Sequence, residues 1–444
     1  MSHVFPRHIA KPPIKATRAE GCYIYDASGK AYLDGSGGAA VSCLGHGDPS
    51  VIAAVQDQMS QLAFAHTGFF TSDPAEELAD ALIKRSPDGI ERVYFVSGGS
   101  EAVEAALKLA RQYHVDRGEP QREHIIARRQ SYHGNTLGAL AAGGNQFRRV
   151  QFEPILTRMS HIAPCYAYAE KPDSESLEAY GQRVAQELED EIQRLGDDRV
   201  IAFLAEPVVG ATSGAVPAVP GYFKKIREIC DRYGVLLILD EVMCGTGRTG
   251  HFFASEPEAI TPDIVCIAKG LGAGYQPIGG MLCSKAIYDV IGGASGLFQH
   301  GHTYVGHPAA CAAGRAVLQA FEQRDLLGAV RQRSTELFDA LQSTFGQHPH
   351  IGDIRGRGLF IGLELVADRA SKTPFDPSLK LAGAIKAAAF EAGLICYPMS
   401  GTRDGTYGDH ILLAPPFIIS SSQIDELVEK LDRALAHVDL RQAA

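Results

Sequence analysis

Two apolar rhythms alternate through the middle of this chain. Between about residues 90 and 290, short unbroken apolar runs are separated by longer segments whose apolar residues recur every three or four positions. The runs RVYFVS, HIIARR, VIAFLAEPV, VLLILDEV, DIVCIA and GGMLCS read as strands, and SEAVEAALKLARQYHV and PGYFKKIREICDRYG read as helices. Strands that are apolar on both faces predict a sheet covered on both sides. Strand–helix alternation predicts βαβ units, and so an α/β fold on a mostly parallel sheet.

The flanks follow other patterns. Glu20 to Gly38 alternates around the turn signal Asp26-Ala27-Ser28-Gly29 and predicts a β-hairpin. Helical spacing follows from Pro49 to Leu62, and again from Ser72, where Ser72 or Asp73 can cap and Pro74 can open the helix. Beyond Pro308 come helical AACAAGRAVLQAFEQ and LLGAVRQRSTELFDALQSTF. A smaller mixed unit ends the chain: strand IRGRGLFIGLELV, helix LAGAIKAAAFEAG, strand HILLAPPFII and a capped final helix. This organisation predicts a large domain over residues 56–324 and a small one built from 1–55 and 325–444, with the two chain ends sharing a sheet. The polar segment Glu170 to Gln182 reads as a surface excursion.

Composition narrows the function. A chain of 444 residues with 45% hydrophobic and 21% charged residues is globular and long enough for two lobes. A net charge of −10, with no basic tract, disfavours a nucleic-acid partner. The nine cysteines form no CxxC pair and several lie in apolar runs, so they read as buried free thiols of a reducing compartment. No run of about 18 apolar residues suggests a membrane span, and the N-terminus lacks a signal-peptide core. The expected location is cytoplasmic.

The chemistry concentrates where apolar runs stop. Val235 to Leu239 is followed at once by Asp240, and Ile264 to Ala268 by Lys269, 29 positions further on. A strand-end carboxylate and a desolvated lysine fit pyridoxal phosphate (PLP): the lysine condenses with the aldehyde, and the carboxylate keeps the pyridine nitrogen protonated. The competing reading is a structural Asp–Lys ion pair. Gly98, Gly99 and Ser100 open the helical run Val96 to Arg111, a phosphate turn or a plain glycine turn with a serine cap. Tyr132 and His133, in SYHGNT, follow a strand, as an aromatic stacked on a cofactor or as core. Glu206, in AEPVVG, ends another strand, near a ligand or solvated. Taken together, in order and each at a strand end, these features favour the cofactor site. A dinucleotide site would need GxGxxG opening a helix, and Gly245 to Gly250 (GTGRTG) opens none.

SGGSEAVEAALKLAR, SYHGNTLGAL, AEPVVGATSG, LILDEVMCGTGRTG, PDIVCIAKGLGAGYQPIGG and GHTYVGHPAACAA together resemble the class III (omega) aminotransferases, a branch of the fold-type I PLP enzymes. The resemblance runs from about Gly21 to the last helix. It implies a seven-stranded-type sheet in the large domain and PLP held as a Schiff base on Lys269, which also shuttles the proton. It further implies Asp240 at the pyridine nitrogen, Val242 beneath the ring and Tyr132 above it. Gly99 and Ser100 would hold the phosphate beside Gly98, and Glu206 would position Asp240 or His133. Thr303 would reach the phosphate of a neighbouring subunit, making a homodimer obligatory, with pairing into tetramers left open. The resemblance implies ping-pong transfer of an amino group from an omega-amino acid, polyamine or other primary amine to pyruvate or 2-oxoglutarate. Aminomutase or decarboxylating chemistry on the same scaffold is the alternative. Phe69 and Phe70 fall in the region lining the substrate pocket, and Arg403 is the candidate for the carboxylate. The phosphate turn departs from the family in having Gly98 where many relatives carry a hydroxyl.

Overall fold

Each of the six apolar runs becomes a strand of one seven-stranded sheet in the computed structural model, which describes residues 2–438 and 440. The order across the sheet is Ile90–Val96, Gly279–Ser284, Ile264–Ile267, Leu236–Asp240, Val200–Ala205, His124–Arg128 and Ser160–Ile162. The last is only three residues long and too short for periodicity to reveal. Neighbours from Ile264–Ile267 outward to Ser160–Ile162 pair in parallel. Gly279–Ser284 is antiparallel to both its neighbours. The reason is the connection: residues 268–278 are turns and no crossover helix, so the chain can only return in the opposite direction.

Helices cover both faces. Gly99–Asp116 buries Ala102, Val103, Ala106 and Leu109 against one face, with Ile238, Ile264 and Cys266. On the other, Leu177–Leu195 and Tyr222–Tyr233 pack over Phe203, Leu237 and Leu239. Tyr222–Tyr233 ends at Gly234 with φ 64°, the left-handed cap that glycine adopts at little cost. The expected surface excursion is half right. Pro172 begins a turn, but Ser176 caps the 19-residue helix that starts at Leu177, and Tyr180 and Gly181 are already buried.

The chain ends build the rest. Ala16–Glu20, Tyr23–Asp26 and Ala31–Asp34 form a meander whose last strand pairs in parallel with Leu394–Ile395. The expected single strand IRGRGLFIGLELV is two, Ile351–Arg357 and Phe360–Leu365, folded back with Arg357 opposite Phe360. Gly358 turns between them at φ 59°, and a Cβ there would sit 2.5 Å from the carbonyl oxygen of Arg248. That close approach is why an apolar stretch breaks in its middle. One apolar cluster runs from Leu33 and Leu78 through Leu271 and Leu341 to Leu394 and Leu431. The segment GTGRTG is a run of turns around the buried Arg248. All nine cysteines are buried and free. No helix among the described residues is long and apolar enough to cross a membrane.

Candidate active site

The parallel strands all point their C-terminal ends at one edge of the sheet, and a cavity of about 450 Å³ lies there. Its walls include Gly98, Gly99, Ser100, Tyr132, His133, Glu206, Asp240, Val242 and Lys269. Residues far apart in sequence thus meet because each ends, or follows, a strand of the same sheet.

Asp240 closes Leu236–Asp240, and the alternation of the strand sends it and Glu241 to opposite faces. Asp240 is 3% exposed and holds two partners: His133 Nδ1 lies 2.8 Å from Oδ2, and the Val242 amide donates to Oδ1 at 3.0 Å. Glu241 accepts from the Ser255 amide and hydroxyl at 3.0 and 2.6 Å, and so anchors the following loop. Sequence reading overlooked Glu241, whose signal is a second acid inside a buried strand end.

Lys269 follows Ile264–Ile267 after one residue and has φ 45°, a left-handed backbone that a non-glycine residue adopts at a cost of about 1 kcal/mol or more. The turn is held because the amides of Gly272 and Ala273 donate back to its carbonyl at 3.2 and 3.0 Å. Its side chain faces the cavity in otherwise solid protein. Desolvation pushes the amine's pKa down, against the upward pull of Asp240 and Glu206. Glu206 is pushed up to about 7, first by burial and then by the Asp240 charge, with His133 and Arg128 acting against them. Its Oε2 and the Nε2 of His133 are buried without a hydrogen-bond partner among the described residues. Burial also raises the Tyr132 phenol.

The opposite wall is the start of Gly99–Asp116, an 18-residue helix whose cap, Gly98, makes no side-chain bond. A Cβ on Gly98 would meet nothing within 4 Å, whereas one on Gly99 would stand 2.6 Å from Val242 Cγ1. The glycine pair therefore does two jobs: Gly98 leaves the helix N-terminus open to the cavity, and Gly99 lets that helix touch Val242. Free amides and the positive end of such a helix suit a phosphate. Ser100 Oγ donates to Asn135 Oδ1 at 3.0 Å and accepts from the Asn135 amide at 3.1 Å, tying the turn to SYHGNT.

Three expected substrate residues and Thr303 lie elsewhere. Phe69 and Phe70 are 83% and 66% exposed and do not line the cavity of their own chain, and Thr303 is exposed too. Arg403 does not reach the cavity either. Its guanidinium donates to the Lys372 carbonyl at 2.6 Å and lies 3.7 Å from Glu364, because the loop that carries it folds back on that lobe. Arg355 is structural, donating to the Ser213 and Gly214 carbonyls and to Glu364. Sequence reading missed the apolar lining of Val208, Met243 and Ile278, which looks like ordinary core.

A lysine of lowered basicity, a His-supported aspartate, an aromatic and a helix N-terminus around one cavity fit PLP: a phosphate at the helix, a ring between Val242 and Tyr132, an aldehyde at Lys269. This is the constellation of a PLP enzyme on a mostly parallel α/β sheet. Comparison with known proteins supplies the family. The family described as Aminotransferase class-III matches residues 4–435. An uncharacterised aminotransferase of Schizosaccharomyces pombe is 47% identical over 97% of this chain and 93% of its own. Putrescine–pyruvate aminotransferase of Pseudomonas aeruginosa is 35% identical over 93% of this chain and 88% of its own. The omega-transaminase of Pseudomonas jessenii, solved in complex with PMP, superposes with a TM-score of 0.92 at 32% identity, covering 98% of this chain and 96% of that one. The chain belongs to the class III aminotransferases, PLP-dependent enzymes that move amino groups from amines to keto acids.

Proposed function

We propose that Lys269 is the residue that binds the cofactor covalently and moves the proton, and that the donors are omega-amino acids, polyamines or other primary amines. The cofactor, when bound, supplies an aldehyde and an electron-withdrawing ring. The single observation that carries this reading is the placement of Lys269 and the His133-supported Asp240 on one cavity at adjacent strand ends.

Each residue then has a task set by its position. Desolvation leaves a larger share of Lys269 in the unprotonated form that can attack a carbonyl carbon and accept a proton. Asp240 places negative charge where a ring nitrogen must stay protonated, and His133 and the Val242 amide fix its two oxygens. Val242 and Tyr132 flank the two ring faces. Gly98, Gly99 and Ser100 receive the phosphate. Glu206 adjusts the charge beside Lys269 and Asp240. The apolar walls around these groups limit access of water. Pyruvate or 2-oxoglutarate serves as acceptor, and the soluble setting is the cytoplasm.

The exposed positions of Thr303, Phe69 and Phe70 support a homodimer. Phe64, Phe69, Phe70 and Tyr304 are exposed aromatics that pair as Phe64 with Tyr304, ring centroids 5.7 Å apart, and Phe69 with Phe70 at 6.5 Å. Such a patch suits burial against a second copy, whose cavity Thr303 would complete. The division into a 56–324 domain and a domain of both chain ends is part of the same reading. Lys269→Ala should retain noncovalent cofactor and lose about 10²- to 10⁴-fold in transamination rate over a panel of donors. Near-normal turnover in that variant would remove Lys269 from the mechanism.

A further inference from the structure

The short helix Gln146–Arg149 carries two adjacent arginines that are used in opposite ways. Arg149 is buried and donates to the carbonyls of Leu140 and Gly143 at 3.3 and 2.6 Å, and it pairs with Glu153 at 3.0 Å. Its charge is spent on fixing the helix. Two further contacts hold the same segment. Asn145 Nδ2 donates to Gln130 Oε1 at 3.1 Å, while Gln130 Nε2 donates to the Gly401 carbonyl at 2.6 Å.

Arg148 stands on this fixed platform with an aromatic ring beside it and, among the described residues, no anion. It is half-buried, its Nε is enclosed without an acceptor, and among the described residues no hydrogen bond or carboxylate partner engages its guanidinium. Its Cζ lies 4.6 Å from the ring centroid of Tyr132, which lines the cavity. Its charge also reaches Lys269, where it opposes protonation. A partly enclosed guanidinium without an anion is unfavourable, and its planar fork of donors matches a carboxylate in two parallel hydrogen bonds. Arg403 differs in that the Lys372 carbonyl takes its Nη2 and the Glu364 carboxylate, 3.7 Å from its Nε, already balances its charge.

We infer that Arg148 binds the substrate carboxylate, that of the keto-acid acceptor above all, at the Tyr132 side of the cavity. Both proposed keto-acid acceptors carry that group, whereas a simple amine donor does not. Arg148 therefore separates keto acids from plain aldehydes. The inference rests on reading the cavity as the cofactor site.

The test uses holoenzyme of wild type, Arg148→Gln and Arg148→Lys, each first converted to the amino form of the cofactor. Second-order rate constants are then measured for pyruvate and for propanal, which keeps the carbonyl and lacks the carboxylate. Arg148→Gln should lower the pyruvate constant about 10- to 100-fold, mainly through KM, and leave propanal within about 3-fold. Arg148→Lys should recover part of the pyruvate loss. Equal losses for both acceptors would mean that Arg148 only props Tyr132, and would overturn the assignment, as would an unchanged pyruvate constant. Cofactor content equal to wild type in each variant ties such a result to Arg148 alone. A wild-type holoenzyme linked through some other lysine would instead overturn the cavity reading, and this inference with it.

Discussion

The cavity and the loops beside it are built differently. At the cofactor end, Asp240, Lys269, Glu206 and the turn Gly98–Ser100 stand at or just beyond the ends of strands in one sheet, and both carboxylate oxygens of Asp240 are held, by His133 and the Val242 amide. Beside Tyr132, Gln146–Arg149 and the loop 401–408 are short helix and turn, with Phe147 73% exposed and Arg148 without a carboxylate partner among the described residues. On the proposed reading, the sheet end carries what every amino transfer needs, groups that would hold the ring and a desolvated amine. The loop end carries what tells one substrate from another, and loops on a rigid scaffold can change without disturbing it.

Substitutions at the cofactor end should therefore cost rate or cofactor with every substrate alike. The largest effect is expected for Asp240→Asn, which removes the charge at the ring nitrogen and leaves His133 and the Val242 amide with one acceptor atom between them. Its turnover should fall about 10²- to 10⁴-fold for all donors and acceptors. A loss confined to keto acids would break the division between the two ends. Gly99→Ala comes next. Its Cβ would stand 2.6 Å from Val242 Cγ1, so the helix or Val242 must move into the ring's space. Cofactor affinity, read by titration, should weaken by about 1–3 kcal/mol, the usual cost of overpacking.

Glu206→Gln sharpens the comparison through pH. Glu206 ionises at about 7 in the fold, against an ordinary value of 4.5. Its raised pKa means that the folded state holds the proton more tightly than the unfolded one. That favours folding fully below about pH 4.5; the advantage is lost between about 4.5 and 7, as the unfolded state ionises first, and above 7 both states are ionised and the buried charge is costly. The Gln variant avoids that cost. It should match wild type near pH 4 and be more stable above pH 8, by at most about 3 kcal/mol on 1.36 kcal/mol per unit. Thermal unfolding at the two pH values measures this, and a stability difference independent of pH would contradict the assignment. Arg403→Ala should do least. Glu364 keeps Arg355 at 2.6 Å and the Tyr166 hydroxyl, so the constant for pyruvate should stay within about 3-fold of wild type. A selective loss for keto acids there would move carboxylate recognition from Arg148 to Arg403.

The same division explains what was legible in the sequence. Asp240 and Lys269 interrupt apolar runs, and such an interruption is visible because a buried strand has little other reason to end in charge. Gly98-Gly99 and Glu206 each admitted a plain structural reading, and pointed to a site only in combination with Asp240 and Lys269. The antiparallel return of Gly279–Ser284 was not, since an apolar strand carries no mark of its direction. Nor was the break at Gly358, where a backbone contact with Arg248, 110 residues away by subtraction, decides the turn. The roles of Arg148, Arg149 and Arg403 depend on which acceptors each one meets, and that is fixed by packing between distant loops. In sequence the three are alike.

The central claim is a covalent bond between Lys269 and PLP. Reduction of the wild-type holoenzyme with borohydride, followed by digestion and mass measurement of the peptides, tests it directly. One cofactor-bearing peptide, modified at Lys269, is expected. A modified peptide lacking Lys269, or no modified peptide at all, would contradict it.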